Sequence, residues 1–302
     1  MGLSRKKNCL ASSARMVRCI LRQMQSDYLQ RFLFEELEIR GRLVCLGGAW
    51  RGMIEGREYP RPVIDLLGHT AGLAALLGAG QKGARRLTLQ LQGAGPVRLL
   101  VADCDAGLRI RGMASVERAA PLPESERALL GAGRLALTLE DTATGRLYQS
   151  LVPFEGESLQ QTFEHYLSQS EQLPAFLRLH ADGENLCGLL LEKLPRADER
   201  DPDGWNRITQ LAATLALDET RAVQPYALLT RLFPEELLRV FPLDAVAYHC
   251  PDDPEKVRQV LRGLGRDELE SILAERGEVV IRNEMCNREY RFDAREVEAL
   301  FA

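Results

Sequence analysis

The sequence predicts an α+β protein, with an N-terminal mixed α/β domain built on a largely antiparallel sheet, a helical linker and a small α+β C-terminal domain. Apolar and polar residues alternate in several short segments between residues 85 and 150, a pattern typical of half-buried strands. Residues 195–204 contain almost no apolar side chains, and amphipathic stretches with helical spacing follow them. Hydrophobic residues at 45% and charged residues at 27% of the 302 are ordinary values for a globular chain.

The N-terminal domain is expected over residues 24–194. Residues 27–53 predict a short helix that runs into a strand, and apolar residues at helical spacing from Val63 to Leu77 predict a buried helix. Antiparallel strands separated by Gly-rich turns follow, then a helix and a closing pair of strands. These elements are expected at Arg86–Gln92, Val97–Ala102, near Leu108, Leu135–Leu139, Leu159–Ser170 (the helix), Phe176–His180 and Leu186–Leu191.

The linker is expected over residues 195–245 and the C-terminal domain over residues 246–302. Three linker helices are predicted, around Trp205, around Tyr226 and after Pro234. In the C-terminal domain we expect two helices, a hairpin and a final helix. Their signals are the Asp253 N-cap with Pro254, a helix from Asp267 ending at Gly277, the strands Val279–Ile281 and Tyr290–Phe292, and the capping pair Asp293 and Glu296.

Charge and hydropathy exclude two classes of partner. The net charge of −4 argues against a dedicated nucleic-acid binder, and no apolar run approaches the roughly 18 residues of a membrane span. Residues 1–23 form a basic extension, and six bases without an acid fall within the first 25 residues. We interpret it as an over-long gene start before Met24. We therefore expect a cytoplasmic location. The alternative is that residues 1–23 are an organelle transit peptide.

Seven scattered cysteines, without a C-x-C or C-x-x-C pair, indicate a reducing compartment. Cys45 and Cys187 lie in apolar segments and are expected to be inert core thiols. The sequence contains no G-x-S-x-G elbow, no H-E-x-x-H motif and no phosphate loop, so it predicts no enzyme.

Short motifs along nearly the whole chain resemble one family in the same order. They include Arg31-Phe-Leu-Phe-Glu, Ile39-Arg-Gly-Arg-Leu-Val, Tyr59-Pro-Arg-Pro-Val, Leu89-Gln-Leu-Gln-Gly-Ala-Gly-Pro, Ile110-Arg-Gly-Met-Ala, Ser168-Gln-Ser-Glu-Gln-Leu-Pro and the tail from Val246 to Phe292. Together they resemble the redox-regulated thirty-three-kilodalton heat-shock chaperonin family. The resemblance implies a holdase that works without ATP, binds unfolding client proteins under oxidative or heat stress, and is typically a dimer when active.

The resemblance also implies a zinc ion on four cysteine thiolates in the tail, where oxidation to two disulfides releases the metal and unfolds the module. This chain departs from that pattern, because Asp252 and Asn283 stand at two ligand positions and only Cys250 and Cys286 remain. Three interpretations stay open: a substitute zinc site that adds His249 and Asp252, a single disulfide between Cys250 and Cys286, or a redox-independent holdase. A neutral Asn amide is a poor zinc ligand, so the zinc switch is expected to be partly lost.

The linker's apolar face is the candidate client-binding surface. Its residues are Trp205, Ile208, Leu211, Leu215, Tyr226, Leu229 and Phe233. Two competing classes are a regulatory or binding module that kept the fold without chaperone activity, and a thiol-based redox protein that uses Cys250 or Cys286.

Overall fold

A computed structural model describes residues 27–81, 83, 85–117, 121–170, 172–220 and 223–301. The chain divides into two compact units, one ending at Tyr248 and the other spanning His249–Ala302. The basic extension predicted at residues 1–23 lies outside the described residues, and the boundaries predicted at 195 and 246 stay predictions. In the described part of the chain, no helix combines the length and the apolar character needed to cross a membrane.

The strands of the first unit form two six-stranded sheets. In chain order they are β1 (Tyr28–Phe34), β2 (Ile39–Leu46), β3 (Arg85–Gln92), β4 (Val97–Asp105), β5 (Arg109–Val116), β6 (Arg134–Asp141), β7 (Arg146–Pro153), β8 (Ala175–Ala181), β9 (Leu186–Lys193), β10 (Leu238–Val240), β11 (Asp244–Ala245) and β12 (Ala247–Tyr248). The first sheet has the order β10-β1-β2-β9-β8, with β11 also paired to β1, and the second has the order β12-β5-β4-β3-β6-β7. All described pairings in these sheets are antiparallel except β12 with β5, which confirms the predicted α+β class.

The first unit contains one long, largely buried helix and several shorter ones. They are α1 (Gly48–Ile54), α2 (Arg61–Gly78), α3 (Glu126–Leu130), α4 (Leu159–Ser170), α5 (Ala197–Arg200), α6 (Gly204–Ala213), α7 (Leu217–Thr220) and α8 (Pro225–Leu232). Helix α2 is buried along most of its length and packs against strands of both sheets, as its apolar periodicity predicts. Glycine at position 68 lets the backbone of this helix approach β8 closely. A Cβ atom at Gly68 would lie only 2.2 Å from the Cβ of Ala181.

The first sheet is buried on both faces. Leu29, Val44 and Leu190 point into the core around α2. Their strand neighbours Leu43 and Leu189 point into a second core on the opposite face. Adjacent residues of a strand point to opposite faces, so this sheet has two independent apolar contact surfaces.

Residues 194–237 cross that second face, and we call them the strap. The strap follows β9, which ends at Lys193, and leads into β10, which begins at Leu238 and pairs with Phe32–Phe34 at the edge of the same sheet. It contains α5 to α8, and residues 221 and 222 within it lie outside the described residues. The strap therefore starts and ends at the sheet that it covers.

Two local predictions are wrong. Residues 28–34 form a strand rather than a helix, because they pair along their whole length with β2. The helix predicted after Pro234 is absent from the described residues 234–240, which form a turn followed by β10. Strand β7 was not predicted at all.

The second unit has the predicted elements around a small core of its own. They are α9 (Pro254–Leu264), α10 (Arg266–Arg276), β13 (Val279–Asn283), β14 (Arg288–Phe292) and α11 (Ala294–Ala299). The side chain of Asp253 accepts a hydrogen bond from the amide of Lys256 at 3.0 Å, which confirms the predicted N-cap. The capping box of Asp293 and Glu296 is present, and Gly277 ends α10 with a φ of 80°.

Candidate functional site

The linker residues predicted from the sequence lie mostly on the underside of the strap. Ile208, Leu215, Leu229 and Phe233 are buried against the first sheet. Trp205 and Leu211 are partly buried and pack against the same cluster, whereas Tyr226 points outward with 59% of its surface exposed. The structure therefore brings these residues together, with the exception of Tyr226, and covers them with the sheet.

An aromatic cluster centres the contact between the strap and the sheet. The ring of Phe233 meets that of Phe34 edge-on, with centroids 4.9 Å apart, and lies 6.3 Å from that of Phe32. The ring of Phe32 in turn lies against Gly41, where a Cβ atom would come within 2.1 Å of it. Edge-to-face aromatic pairs stabilise a fold by more than the burial of their apolar surface alone. This cluster therefore stabilises the covered state.

Polar contacts tie the strap to itself and to the sheet. The guanidinium of Arg207 contacts the carboxylates of Asp201 and Glu236, each at 2.9 Å. At the middle of the strap, the ring Nε2 of His180 on β8 donates to the carbonyl oxygen of Leu215 at 3.0 Å. Burial lowers the pKa of His180. The covered state is thus favoured by a neutral imidazole at this position.

The sheet side of this surface was missed by sequence reasoning. Leu43, Leu189, Phe32 and Phe34 supply the apolar contacts from β1, β2 and β9. Their signal in the sequence is a run of apolar residues in each strand, which is consistent with burial on both faces. Such a run does not show which residue faces the strap.

In the second predicted site, in the tail, two side chains contact Asp252. The hydroxyl of Tyr290 donates to Asp252 Oδ1 at 2.7 Å, and Arg288 Nη1 lies 2.8 Å from the same oxygen. The hydrogen bond from Tyr290 and the neighbouring Arg288 lower the pKa of Asp252. We call this set of three residues the tail brace. It links the loop before α9 to strand β14.

Asn283, at the other substituted ligand position, accepts the hydrogen bonds that form a turn. Asn283 Oδ1 accepts from the amide of Met285 at 3.0 Å, and the Asn283 carbonyl accepts from the amide of Cys286 at 3.2 Å. Asparagine is favoured in such turns because its side chain replaces a backbone partner. The residue therefore shapes the hairpin between β13 and β14.

The candidate zinc donors of the tail are Cys250, Cys286, His249 and Asp252. Cys250 and Cys286 are both partly exposed, and His249 is exposed. The described residues contain no group of three or more His, Cys, Asp or Glu side chains that could hold a metal ion. A structural zinc site needs four such donors around one point, and here the Asp252 oxygen already receives Tyr290 and Arg288.

Comparison with known proteins identifies the family. A family model described as Hsp33 protein matches residues 27–293. The 33 kDa chaperonin of Nitrosococcus oceani is 40% identical over 275 residues, and that of Methylobacillus flagellatus is 37% identical over 281 residues. Each alignment covers 91% of this chain and 94% of the relative.

The fold is shared with a solved structure. The crystal structure of the 33 kDa chaperonin (heat shock protein 33 homolog) from Thermotoga maritima matches with a TM-score of 0.76 and 21% identity, over 91% of this chain and 97% of that one. Together with the curated relatives and the family model, this agreement confirms the predicted resemblance. The chain therefore belongs to the Hsp33 family of redox-regulated holdase chaperones.

Proposed function

We propose that the chain works without ATP and binds unfolding client proteins through the underside of the strap. The observation that carries this proposal is the packing of that face. Ile208, Leu215, Leu229 and Phe233 are buried on a sheet surface that is itself apolar. Release of the strap exposes both apolar surfaces at once, and an exposed apolar patch of this kind binds unfolded chains. The client site is thus formed when the strap leaves the sheet.

The experiment places charges on the underside of the strap and compares them with charges on its exposed side. The test variant carries Leu211→Glu with Leu215→Glu, and the matched control carries Gln210→Glu with Ala213→Glu at two exposed positions. We expect the test variant to lose suppression of the thermal aggregation of malate dehydrogenase, while the control keeps it. Circular dichroism checks that both remain folded. Full suppression by the test variant would exclude this surface.

For the tail we propose a module that folds without zinc. The tail brace and the turn at Asn283 support this, because both substituted ligand positions have other partners. The core of the module is made by apolar residues of its three helices and its hairpin. They are Val257, Leu261, Leu269, Val279, Phe292, Val297 and Leu300.

Metal content and thiol reactivity test the tail on one sample. We expect reduced, purified protein to contain no stoichiometric zinc by elemental analysis, and a chelator to leave its melting temperature unchanged. The matched control restores both thiols with Asp252→Cys and Asn283→Cys, and it is expected to bind zinc and to melt earlier with chelator. Stoichiometric zinc in the wild type would instead favour ligation by His249, Cys250, Asp252 and Cys286. Paired loss of the Cys250 and Cys286 thiols in peroxide would favour the single disulfide.

The partners that we propose are unfolding client proteins, in line with the family. A homodimer, a cytoplasmic location and the lack of nucleic-acid and membrane partners stay predictions. Sedimentation of the reduced protein alone and with client measures the first of these. A chain that keeps the fold but suppresses no aggregation would be a binding or regulatory module instead.

A further inference from the structure

Two cysteines that are far apart in the chain meet beneath the strap. Cys45 on β2 and Cys187 on β9 are direct partners in the antiparallel ladder. Their Sγ atoms lie 3.4 Å apart. Directly opposed residues of an antiparallel pair have Cα atoms roughly 4.5 or 5.5 Å apart, and both distances fall in the range that a disulfide spans. The register and the short Sγ–Sγ distance therefore place the two thiols within reach of a disulfide.

The strap seals this pair from solvent. Cys45 is 5% exposed and Cys187 is 1% exposed, and both belong to the apolar cluster that includes the strap residues Ile208 and Leu215. His180, the ladder partner of Cys187, is the residue that contacts the Leu215 carbonyl. The hydrogen bond with Cys45 and complete burial raise the pKa of Cys187. Because the thiolate is the reactive form, burial protects both thiols sterically, and the raised pKa also keeps Cys187 protonated.

We infer that Cys45 and Cys187 are a strap-guarded disulfide site, reduced while the strap is closed and oxidised by hydrogen peroxide once it opens. One thiolate attacks the peroxide, forming a sulfenic acid and, after proton uptake, releasing one water. The second thiol attacks the sulfenic sulfur, the S–O bond breaks, and a second water leaves. Two thiols and one peroxide thus give one disulfide and two waters. The bond joins β2 to β9 across the sheet surface that the strap has left.

Cys104 provides an internal control for unfolding. It is 1% exposed in the other core, around α2, and burial raises its pKa to about 12. It does not belong to the cluster under the strap. Opening of the strap alone therefore exposes Cys45 and Cys187 and leaves Cys104 covered, whereas global unfolding exposes all three.

The inference rests on the release of the strap that is proposed above, but its readout does not involve clients. The full-length protein is treated with hydrogen peroxide, quenched with N-ethylmaleimide and mapped by mass spectrometry without reduction. Ile208→Asp places a charge at a fully buried strap position, and Gln210→Asp places the same charge on the exposed side. We expect the peptide that links Cys45 to Cys187 to form at least about tenfold faster in Ile208→Asp, with Cys104 unmodified in both.

Three results would overturn the inference. Equal rates of linkage in Ile208→Asp and Gln210→Asp would mean that the strap does not guard the pair. Separate labelling of Cys45 and Cys187 without linkage would mean that no disulfide forms. Linkage only when Cys104 is also labelled would mean that the core must unfold first. Suppression of malate dehydrogenase aggregation is measured in parallel with the wild type, whose client surface is intact, so a guarded disulfide in a wild type without chaperone activity would refute the client surface alone.

Discussion

Truncation of the sheet side of the strap contact should activate the chaperone without changing the strap. Leu189 is fully buried beneath the strap, and a buried Leu→Ala change costs about 2–5 kcal/mol. The Leu189 side chain lies between its own sheet and the strap, so we assign about half of that loss to the closed state of the strap. A loss of about 1–2.5 kcal/mol raises the population of the open strap roughly 5- to 70-fold.

The next residue of the same strand is the matched control. Leu190 is equally buried but faces the core around α2, so Leu190→Ala should lower global stability by a similar amount and leave the strap closed. The assay is suppression of malate dehydrogenase aggregation below the melting temperature of each variant, with melting followed by circular dichroism. We expect activity at lower temperature for Leu189→Ala only. Equal activation by both variants would show that general loss of stability, not strap release, exposes the client surface.

Three further predictions test individual contacts. Gly41→Ala forces the ring of Phe32 out of place, since the new Cβ would lie 2.1 Å from it, and should cost about 1–3 kcal/mol in urea unfolding. Tyr290→Phe removes the hydrogen bond that lowers the pKa of Asp252, so an NMR titration should show that pKa rising toward its ordinary value of 3.8. Burial lowers the pKa of His180 below its ordinary value of 6.5, so the unfolded chain binds a proton first as the pH falls. The urea midpoint should therefore drop between about pH 7.5 and pH 5.5 in the wild type, and less in His180→Gln.

Elements whose signal is local could be predicted from the sequence. The apolar periodicity of helix α2 lies within its own residues. The start of α9 is indicated by the N-cap residue Asp253 and by Pro254. Strand β3 alternates cleanly, since its polar residues are less buried than Leu87, Leu89 and Leu91. In each case the residues that decide the structure are near neighbours in the chain.

Elements that depend on distant partners could not be predicted in this way. Strand β1 was expected to be a helix. Its apolar residues do not alternate as they do in a half-buried strand, because both faces are buried: Leu29 faces one core and Tyr28 the other. Strand β10 exists because Leu238–Val240 pairs with β1, about two hundred residues earlier in the chain. The contact of Cys45 with Cys187 likewise follows from the register between β2 and β9, which no short motif encodes.

The tail shows the same division between what a motif reveals and what a fold adds. The sequence alone indicates that Asp252 and Asn283 cannot act as the two missing thiolates. Only the structure shows that Tyr290 and Arg288 contact Asp252 instead, because hairpin pairing places them beside the loop before α9. The sequence therefore shows that two cysteine ligands are lost, but it does not show which contacts the substituted residues make instead.

The zinc-free tail proposed above would respond to a different stress from a zinc module. Zinc contributes about 10–16 kcal/mol to small zinc modules, and oxidants remove it by attacking its thiolates. The tail brace is an exposed contact, with 57% of the Asp252 side chain accessible, and such contacts contribute little to stability. The module then depends on a small apolar core, and cores of this size are marginal. A marginal core opens with heat, and the proposed zinc-free module would hold no metal-bound thiolate for an oxidant to attack. We therefore expect temperature to control the tail, while sensitivity to oxidants moves to the cysteine pair beneath the strap.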